Sequence, residues 1–173
     1  MLYDLNNVLA SKTIATAAEV AKNLGFKPLI INDKKPFYYT SKNLIFEDSN
    51  LALPVGDKII EMRAITKAGI NQLHNILKLY ALETVHFKGK NSEHLLFKSD
   101  KKYDIIPYDQ LRLRCLNQQH GIFINFRHAY TIIPPSVGFK SLNNHDLSEL
   151  PGDLFRDLFN LHMSDVMKGS FNG

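Results

Sequence analysis

The spacing of apolar residues predicts a helix in the middle of the chain. Between Thr66 and Leu82 an apolar residue recurs every three or four positions, which places these side chains on one helix face. The residues of this face are Ile70, Leu73, Leu77 and Tyr80, with Ile76 and Leu79 widening it. Thr66 is a candidate N-cap. Gly69, in the first turn, is expected to cost the helix about 1 kcal/mol relative to alanine.

Two more helices are predicted, one near each end of the chain. Residues 11–24 place small and apolar side chains on one face. The capping-box spacing from Thr16 to Glu19 indicates an ordered start near residue 17, and Gly25 is a candidate C-cap. Residues 151–167 form a second amphipathic pattern, which ends at Gly169. Its apolar row is Leu154, Leu158 and Leu161, with Phe155, Phe159, His162 and Val166 beside it.

Runs typical of strands, separated by short polar turns, fill most of the remaining chain. Before the central helix they are PLIIN, PFYYT, LIFE, LALPV and KIIEMRAI, and after it TVHFK, EHLLFKS, YDIIP and LRLRC. The longest run is GIFINFRHAYTII, in which His128 alternates with apolar residues and is therefore predicted to lie in the core. Pro134 and Pro135 end that strand, and a polar loop follows over residues 135–150.

These elements predict an α+β fold. An antiparallel sheet in two meander segments carries the central helix, with the N- and C-terminal helices packed on it. The length of 173 residues fits a single α+β domain over 1–173. The ending KGSFNG, which follows the last helix, also fits a piece of a longer protein.

Composition and charge narrow the classes of protein only slightly. With 45% hydrophobic and 22% charged residues the chain has the composition of a globular protein. It has no signal peptide pattern and no apolar run of membrane-spanning length, so we expect a cytoplasmic protein without membrane partners. The net charge of +4 favours polyanions only mildly, and the lysine pairs at the predicted turns are expected to be solvated.

Sequence motifs of known catalytic or nucleotide-binding sites are absent, including the P-loop, Gly-x-Gly-x-x-Gly and His-Glu-x-x-His. His86 and His94 could face each other across the Gly89 hairpin with Glu93 nearby, but surface histidines are the expected outcome, and no metal or cofactor is predicted. The single cysteine, Cys115, alternates with leucines and is expected to be buried.

Arginines and tyrosines provide the functional hypothesis. Arg112 and Arg114 share one face of LRLRC, and Arg127 belongs to the polar face of the next strand. Guanidinium groups beside aromatic rings suit a phosphate with a flat base. The predicted ligand-binding residues are Arg112, Arg114, Arg127, Tyr38, Tyr39 and Tyr108. The interpretation is a non-catalytic binding domain for a nucleotide or nucleic acid, although the arginines could instead pair with Asp104, Asp109 or Glu83 on a solvated face.

Two alternatives remain open. One is a small hydrolase or transferase that uses Cys115, His120 or His128. The other is a protein-protein interaction module, whose partner binds the strand with Phe37 and Tyr39 or the 135–150 loop. The sequence leaves the oligomeric state unknown.

Overall fold

The computed structural model describes residues 5–33, 35–40, 45–56, 58–99, 103, 106–114 and 120–170, without the side chains of 120 and 168–170. The described residues form four helices and two sheets, which confirms the α+β class. The helices are α1 (Asn6–Leu9), α2 (Ile14–Asn23), α3 (Lys67–Leu79) and α4 (Gly152–Ser170). None of these helices is long and apolar enough to cross a membrane.

Eleven strands lie in the described part of the chain. They are β1 (Leu29–Asn32), β2 (Lys35–Tyr38), β3 (Asn50–Val55), β4 (Ile59–Ala64), β5 (Val85–Lys88), β6 (Glu93–Lys98), β7 (Gln110–Arg114), β8 (His120–Asn125), β9 (Ala129–Ile133), β10 (Lys140–Ser141) and β11 (Ser148–Glu149). One sheet has the order β2-β1-β3-β9. The other has the order β10-β5-β6-β4-β8-β7, and β11 pairs with β6 in parallel.

The two sheets do not correspond to the two predicted meander segments, because each sheet contains strands from both segments. β9, from the second half of the chain, pairs with β3 and places Ile133 opposite Leu51. β4, from the first half, lies between β6 and β8 in the larger sheet. Each sheet therefore contains strands from both sides of α3.

Strand alternation divides the apolar side chains between two cores. On β4, Ile59 packs with α1, α2 and the four-stranded sheet, whereas its neighbour Ile60 packs with α3 and α4. β6 is divided in the same way, with Leu96 in the first core and Leu95 in the second. The seven-stranded sheet is thus covered on both faces.

The central helix is confirmed. It begins after Thr66 as expected but ends at Leu79 rather than at Leu82. The Thr66 hydroxyl accepts a hydrogen bond from the Gly69 amide at 3.0 Å, as expected of an N-cap. Leu73 is fully buried, but Leu79 is 79% exposed and lies off the buried face. The prediction that Leu79 belongs to the buried helix face is therefore wrong.

The terminal helices also differ in detail from the prediction. α2 begins at Ile14 rather than near residue 17, because Thr13 provides the N-cap by accepting from the Thr16 amide. α4 continues to Ser170, past Gly169. Leu161 is half exposed, so the buried row of α4 is Leu154, Leu158 and His162.

The long strand predicted over GIFINFRHAYTII is two strands, β8 and β9, joined by a sharp turn. His128 lies in this turn with φ of 55° and its side chain is 77% exposed. The prediction that His128 is a core residue is therefore wrong. The alternation rule failed here because it holds only while the backbone stays extended.

Other predicted segments fall partly outside the described residues. In LIFE, Ile45 to Glu47 form no strand, and in YDIIP neither Tyr103 nor Ile106 does. The 135–150 loop, in contrast, contains β10 and β11, which add to the seven-stranded sheet.

Candidate ligand-binding cleft

The predicted ligand-binding residues are distributed over two sheets and the segments beside them. Tyr38 ends β2, the edge strand of the four-stranded sheet, and Tyr39 follows it. Arg112 and Arg114 lie on β7, an edge strand of the seven-stranded sheet. Both arginines are exposed, as the alternation of LRLRC predicts, and Arg112 Nε donates to Gln110 Oε1 at 2.8 Å.

Arg127 does not lie on a sheet face beside the other two arginines, because it belongs to the turn between β8 and β9. Its Nε donates to Asp109 Oδ1 at 2.6 Å, and its Nη2 donates to the carbonyl of Ile106. The predicted alternative, in which an arginine pairs with Asp109, therefore describes Arg127 correctly. Tyr108 is half-buried under α4, where its hydroxyl lies 3.6 Å from the Met163 sulfur.

A cleft of about 390 Å³ lies where the end of α2 meets the β1–β2 hairpin. We call it the basic cleft. Its lining residues are Lys22, Phe26, Lys27, Pro28, Tyr38 and Tyr39. A second hollow of about 180 Å³ shares Phe26, Lys27 and Tyr38 and adds Pro54 and Lys58. The first volume falls in the range of small-molecule sites.

The end of α2 positions one wall of the basic cleft. Gly25, with φ of 79°, donates its amide to the Lys22 carbonyl at 2.8 Å, and Phe26 donates to the Ala21 carbonyl at 3.0 Å. This pair of hydrogen bonds is the Schellman motif, which requires a left-handed residue after the helix. It turns the chain sharply, so that Lys22, Phe26 and Lys27 face one cavity.

The β1–β2 hairpin positions the opposite wall. Leu29 pairs with Tyr38, and the Tyr39 amide donates to the Pro28 carbonyl at 2.8 Å. Tyr38 is 64% exposed, so one large aromatic ring is available to a ligand. Tyr39 is half-buried against the core of the four-stranded sheet.

The charge of the basic cleft is positive. Lys22 and Lys27 are exposed, and Lys58 Nζ lies 5.7 Å from the centre of the Phe26 ring. Glu19 is an acidic side chain that interacts with Tyr39 in the wall of the cleft. Burial, together with the hydrogen bond and negative charge of Glu19, raises the pKa of Tyr39. Two of the described lining residues of the cleft are thus lysines.

Sequence reasoning found the tyrosines of this cleft but missed its lysines. It singled out the arginines as the cationic groups of the site and assigned no role to Lys22, Lys27 or Lys58. The available signal was the segment Gly25-Phe26-Lys27-Pro28, directly after a helix. A helix C-cap followed by a proline fixes the path of the backbone and hence the direction of its neighbours.

One group of histidine and carboxylate side chains in the described residues could share a metal ion, namely His74, His86 and Glu93. His86 and His94 are not the surface histidines that the sequence predicts, since His94 is buried and the side chain of His86 is only 12% exposed. Nor do they face each other. His86 is opposite Leu95 and His94 is opposite Phe87, so the two histidines lie on opposite faces of the sheet. His94 instead contacts Glu61, at 2.8 Å.

Of the three residues proposed for His/Cys catalysis, only His128 has a described side chain. Cys115 and the side chain of His120 lie outside the described residues. His128 is exposed in its turn, 4.0 Å from Asp109.

No protein-family model matches the chain, and no curated protein is significantly similar to it. The functional argument therefore depends on the geometry and charge of the sites themselves.

Proposed function

We propose that the chain is a binding domain whose basic cleft takes a phosphate-bearing ligand with a flat ring, either a nucleotide or a short stretch of single-stranded nucleic acid. The observation that carries this proposal is the convergence of Lys22 and Lys27 with the exposed ring of Tyr38 on one cavity.

Lysine ammonium groups attract phosphate as point charges, and a concave surface with one sign of charge strengthens that attraction. The end of α2 would oppose an anion through its carbonyl groups. The Schellman hydrogen bonds satisfy two of these carbonyls, those of Ala21 and Lys22, which reduces this opposition.

The aromatic wall provides the second part of the recognition. Bases stack on aromatic side chains without regard to sequence, and alanine substitution at such rings typically costs about 1–3 kcal/mol per base. Tyr38 has the exposure that stacking requires. Phe26 is buried, and the Lys58 ammonium group lies over its ring in a cation–π contact.

The test uses two fluorescent probes, a labelled single-stranded oligodeoxynucleotide and a labelled ATP analogue, titrated at low and moderate salt. We expect Lys27→Ala and Lys22→Ala to weaken binding by about threefold to tenfold each and to reduce the dependence of affinity on salt. Tyr38→Ala should weaken binding with the salt dependence unchanged. The two probes distinguish a mononucleotide site from a nucleic-acid site.

Lys78→Ala is the matched control, because Lys78 is also an exposed lysine but lies on α3. Arg112→Ala and Arg114→Ala test the originally predicted arginine surface. If the arginine variants lose binding and the lysine variants do not, the ligand binds at β7 and not at the basic cleft. Absence of binding of both probes at millimolar concentration would contradict the proposal.

A further inference from the structure

The fold brings three metal-ligating side chains together on the α3 side of the seven-stranded sheet. On β5 and β6, His86 is opposite Leu95, and Glu93 is two residues before Leu95, so His86 and Glu93 point to the same face. α3 packs on that face, since Leu73 and Leu95 share a core. His74, next to Leu73, reaches the same point from the helix.

The distances between the ligand atoms suit coordination of one ion. Glu93 Oε2 lies 2.7 Å from His74 Nε2 and 3.0 Å from His86 Nε2, and all three atoms lie within 4.8 Å of one another. Bonds of about 2.0–2.2 Å from a metal to nitrogen and oxygen hold neighbouring ligand atoms roughly 3–3.5 Å apart. Only a small outward movement of the side chains is needed to admit the ion.

We propose that His74, His86 and Glu93 bind a divalent first-row transition-metal ion, with Zn²⁺ as the reference case. Two imidazoles and one carboxylate form a ligand set for such ions, and three protein ligands leave at least one coordination position for water or another ligand. Mg²⁺ and Ca²⁺ prefer oxygen ligands and are disfavoured here.

The burial of the three ligands indicates how the ion is held. The side chains of His86 and Glu93 are only 12% and 15% exposed, whereas that of His74 is 46% exposed. Two ligands are thus fixed on the sheet, and the third closes over them from α3. The ion joins α3 to the β5–β6 hairpin, and its remaining coordination position faces solvent on the side of His74.

The alternative is that Glu93 only accepts hydrogen bonds from the two histidines, with no ion bound. Isothermal titration calorimetry with Zn²⁺ separates the two cases, together with the visible absorption of the Co²⁺ form. For the metal site we expect one Zn²⁺ per chain, a raised melting temperature and a Co²⁺ spectrum with nitrogen ligation. Mg²⁺ should give no heat of binding in the calorimeter and should leave the melting temperature unchanged.

His74→Ala, His86→Ala and Glu93→Gln should each weaken Zn²⁺ binding by more than about tenfold. His74→Ala alters the most exposed ligand, so it provides the variant that keeps its fold if the others do not, which far-ultraviolet circular dichroism checks. His128→Asn is the control, because His128 is an exposed histidine outside the cluster, and asparagine tolerates its positive φ.

The proposal is overturned if the parent protein binds no Zn²⁺, or if the His74 and Glu93 variants bind it as tightly as the parent does. Equal weakening by His128→Asn would also overturn it, since that result means diffuse binding to surface histidines. Nucleotide binding at the basic cleft does not enter these measurements, so the metal site and the proposed function can fail independently.

Discussion

Glu61 is fully buried on β4, with its carboxylate enclosed by polar side chains. His94 Nδ1 lies 2.8 Å from one carboxylate oxygen, and Asn125 Nδ2 donates to the other at 2.5 Å. Burial alone would raise the pKa of Glu61. The hydrogen bond and charge of His94 outweigh it, with smaller contributions from Thr131 and Arg63, and the pKa is lowered. The ionised form is therefore the one that the fold stabilises.

This lowered pKa predicts that the free energy of unfolding decreases as the pH falls into the acid range. Glu61 holds its proton less tightly when folded than when unfolded, so its contribution is complete above the unfolded pKa and is lost as the pH falls through the folded pKa. Near neutral pH, Glu61→Gln should reduce the free energy of unfolding by about 3 kcal/mol or more, because it breaks a buried pair. The difference from the parent should narrow in acid.

Urea unfolding of both proteins between neutral pH and about pH 3 measures this difference. A gap that stays constant across the range would mean that the pKa of Glu61 is the same in the folded and the unfolded protein. The acid sensitivity would then have to come from other carboxylates, such as Glu93, whose pKa is also lowered because the hydrogen bonds of His74 and His86 outweigh its burial.

The sequence predicted the strand that carries Glu61 but not the burial of the residue. Alternation in KIIEMRAI assigns Glu61 to one face, yet only the packing of both sheets determines that this face is covered. The opposite error occurred at His128, which the pattern assigned to the core. There Gly56, with φ of 117°, is so close to Phe126 and Arg127 that an added Cβ would lie 2.9 Å from the Phe126 carbonyl oxygen. This contact between two turns has no signature in the alternation.

Helix α3 shows how a residue that weakens a helix locally can be required by its packing. Gly69 was expected to be a cost. However, a Cβ on Gly69 would lie 2.3 Å from the carbonyl oxygen of Gly121 on β8, which is far inside van der Waals contact. The absence of a side chain at Gly69 allows the first turn of α3 to approach the backbone of β8 directly. Sequence periodicity predicts the helix. For Gly69, which sets the distance between helix and sheet, helix propensity predicts only a loss of stability.

We expect Gly69→Ala to destabilise the protein by about 1–3 kcal/mol, the usual effect of overpacking a close contact, despite the better helix propensity of alanine. Asn75→Ala is the control, because Asn75 is exposed on the same helix and gains the same kind of propensity without a clash. Chemical denaturation compares the two. Equal stabilisation by both substitutions would show that α3 does not touch β8 at Gly69.

The exchange of strands between the sheets couples the two cores. The sequence predicted the strands and the α+β class from local alternation, and it placed each meander on its own side of α3. Pairing between distant strands depends on long-range contacts that alternation does not encode, so the positions of β4 and β9 could not be predicted. Because Ile59 and Ile60 are adjacent on β4 but belong to different cores, a change in one core is expected to reach the other.

Leu53→Ala tests this coupling. Leu53 is fully buried on β3, in the four-stranded sheet, and its loss should cost about 2–5 kcal/mol. If the two cores unfold together, the β6 amides of Leu95 and Leu96 should lose hydrogen-exchange protection by the same free energy, although they lie in the other sheet. Tyr130→Ala, at a residue that is 42% exposed on the neighbouring strand β9, should have a much smaller effect.

Unchanged protection of the β6 amides in Leu53→Ala would mean that the four-stranded sheet opens alone. Opening of the four-stranded sheet alone would cost free energy. It separates β9 from β3 and exposes the face of β4 that carries Ile59 and Glu61. Exposure of this face would leave Glu61 and His94 without the covering sheet while β4 stayed paired with β6 and β8. Since β4 provides side chains to both cores, we expect the protection to fall in both sheets together.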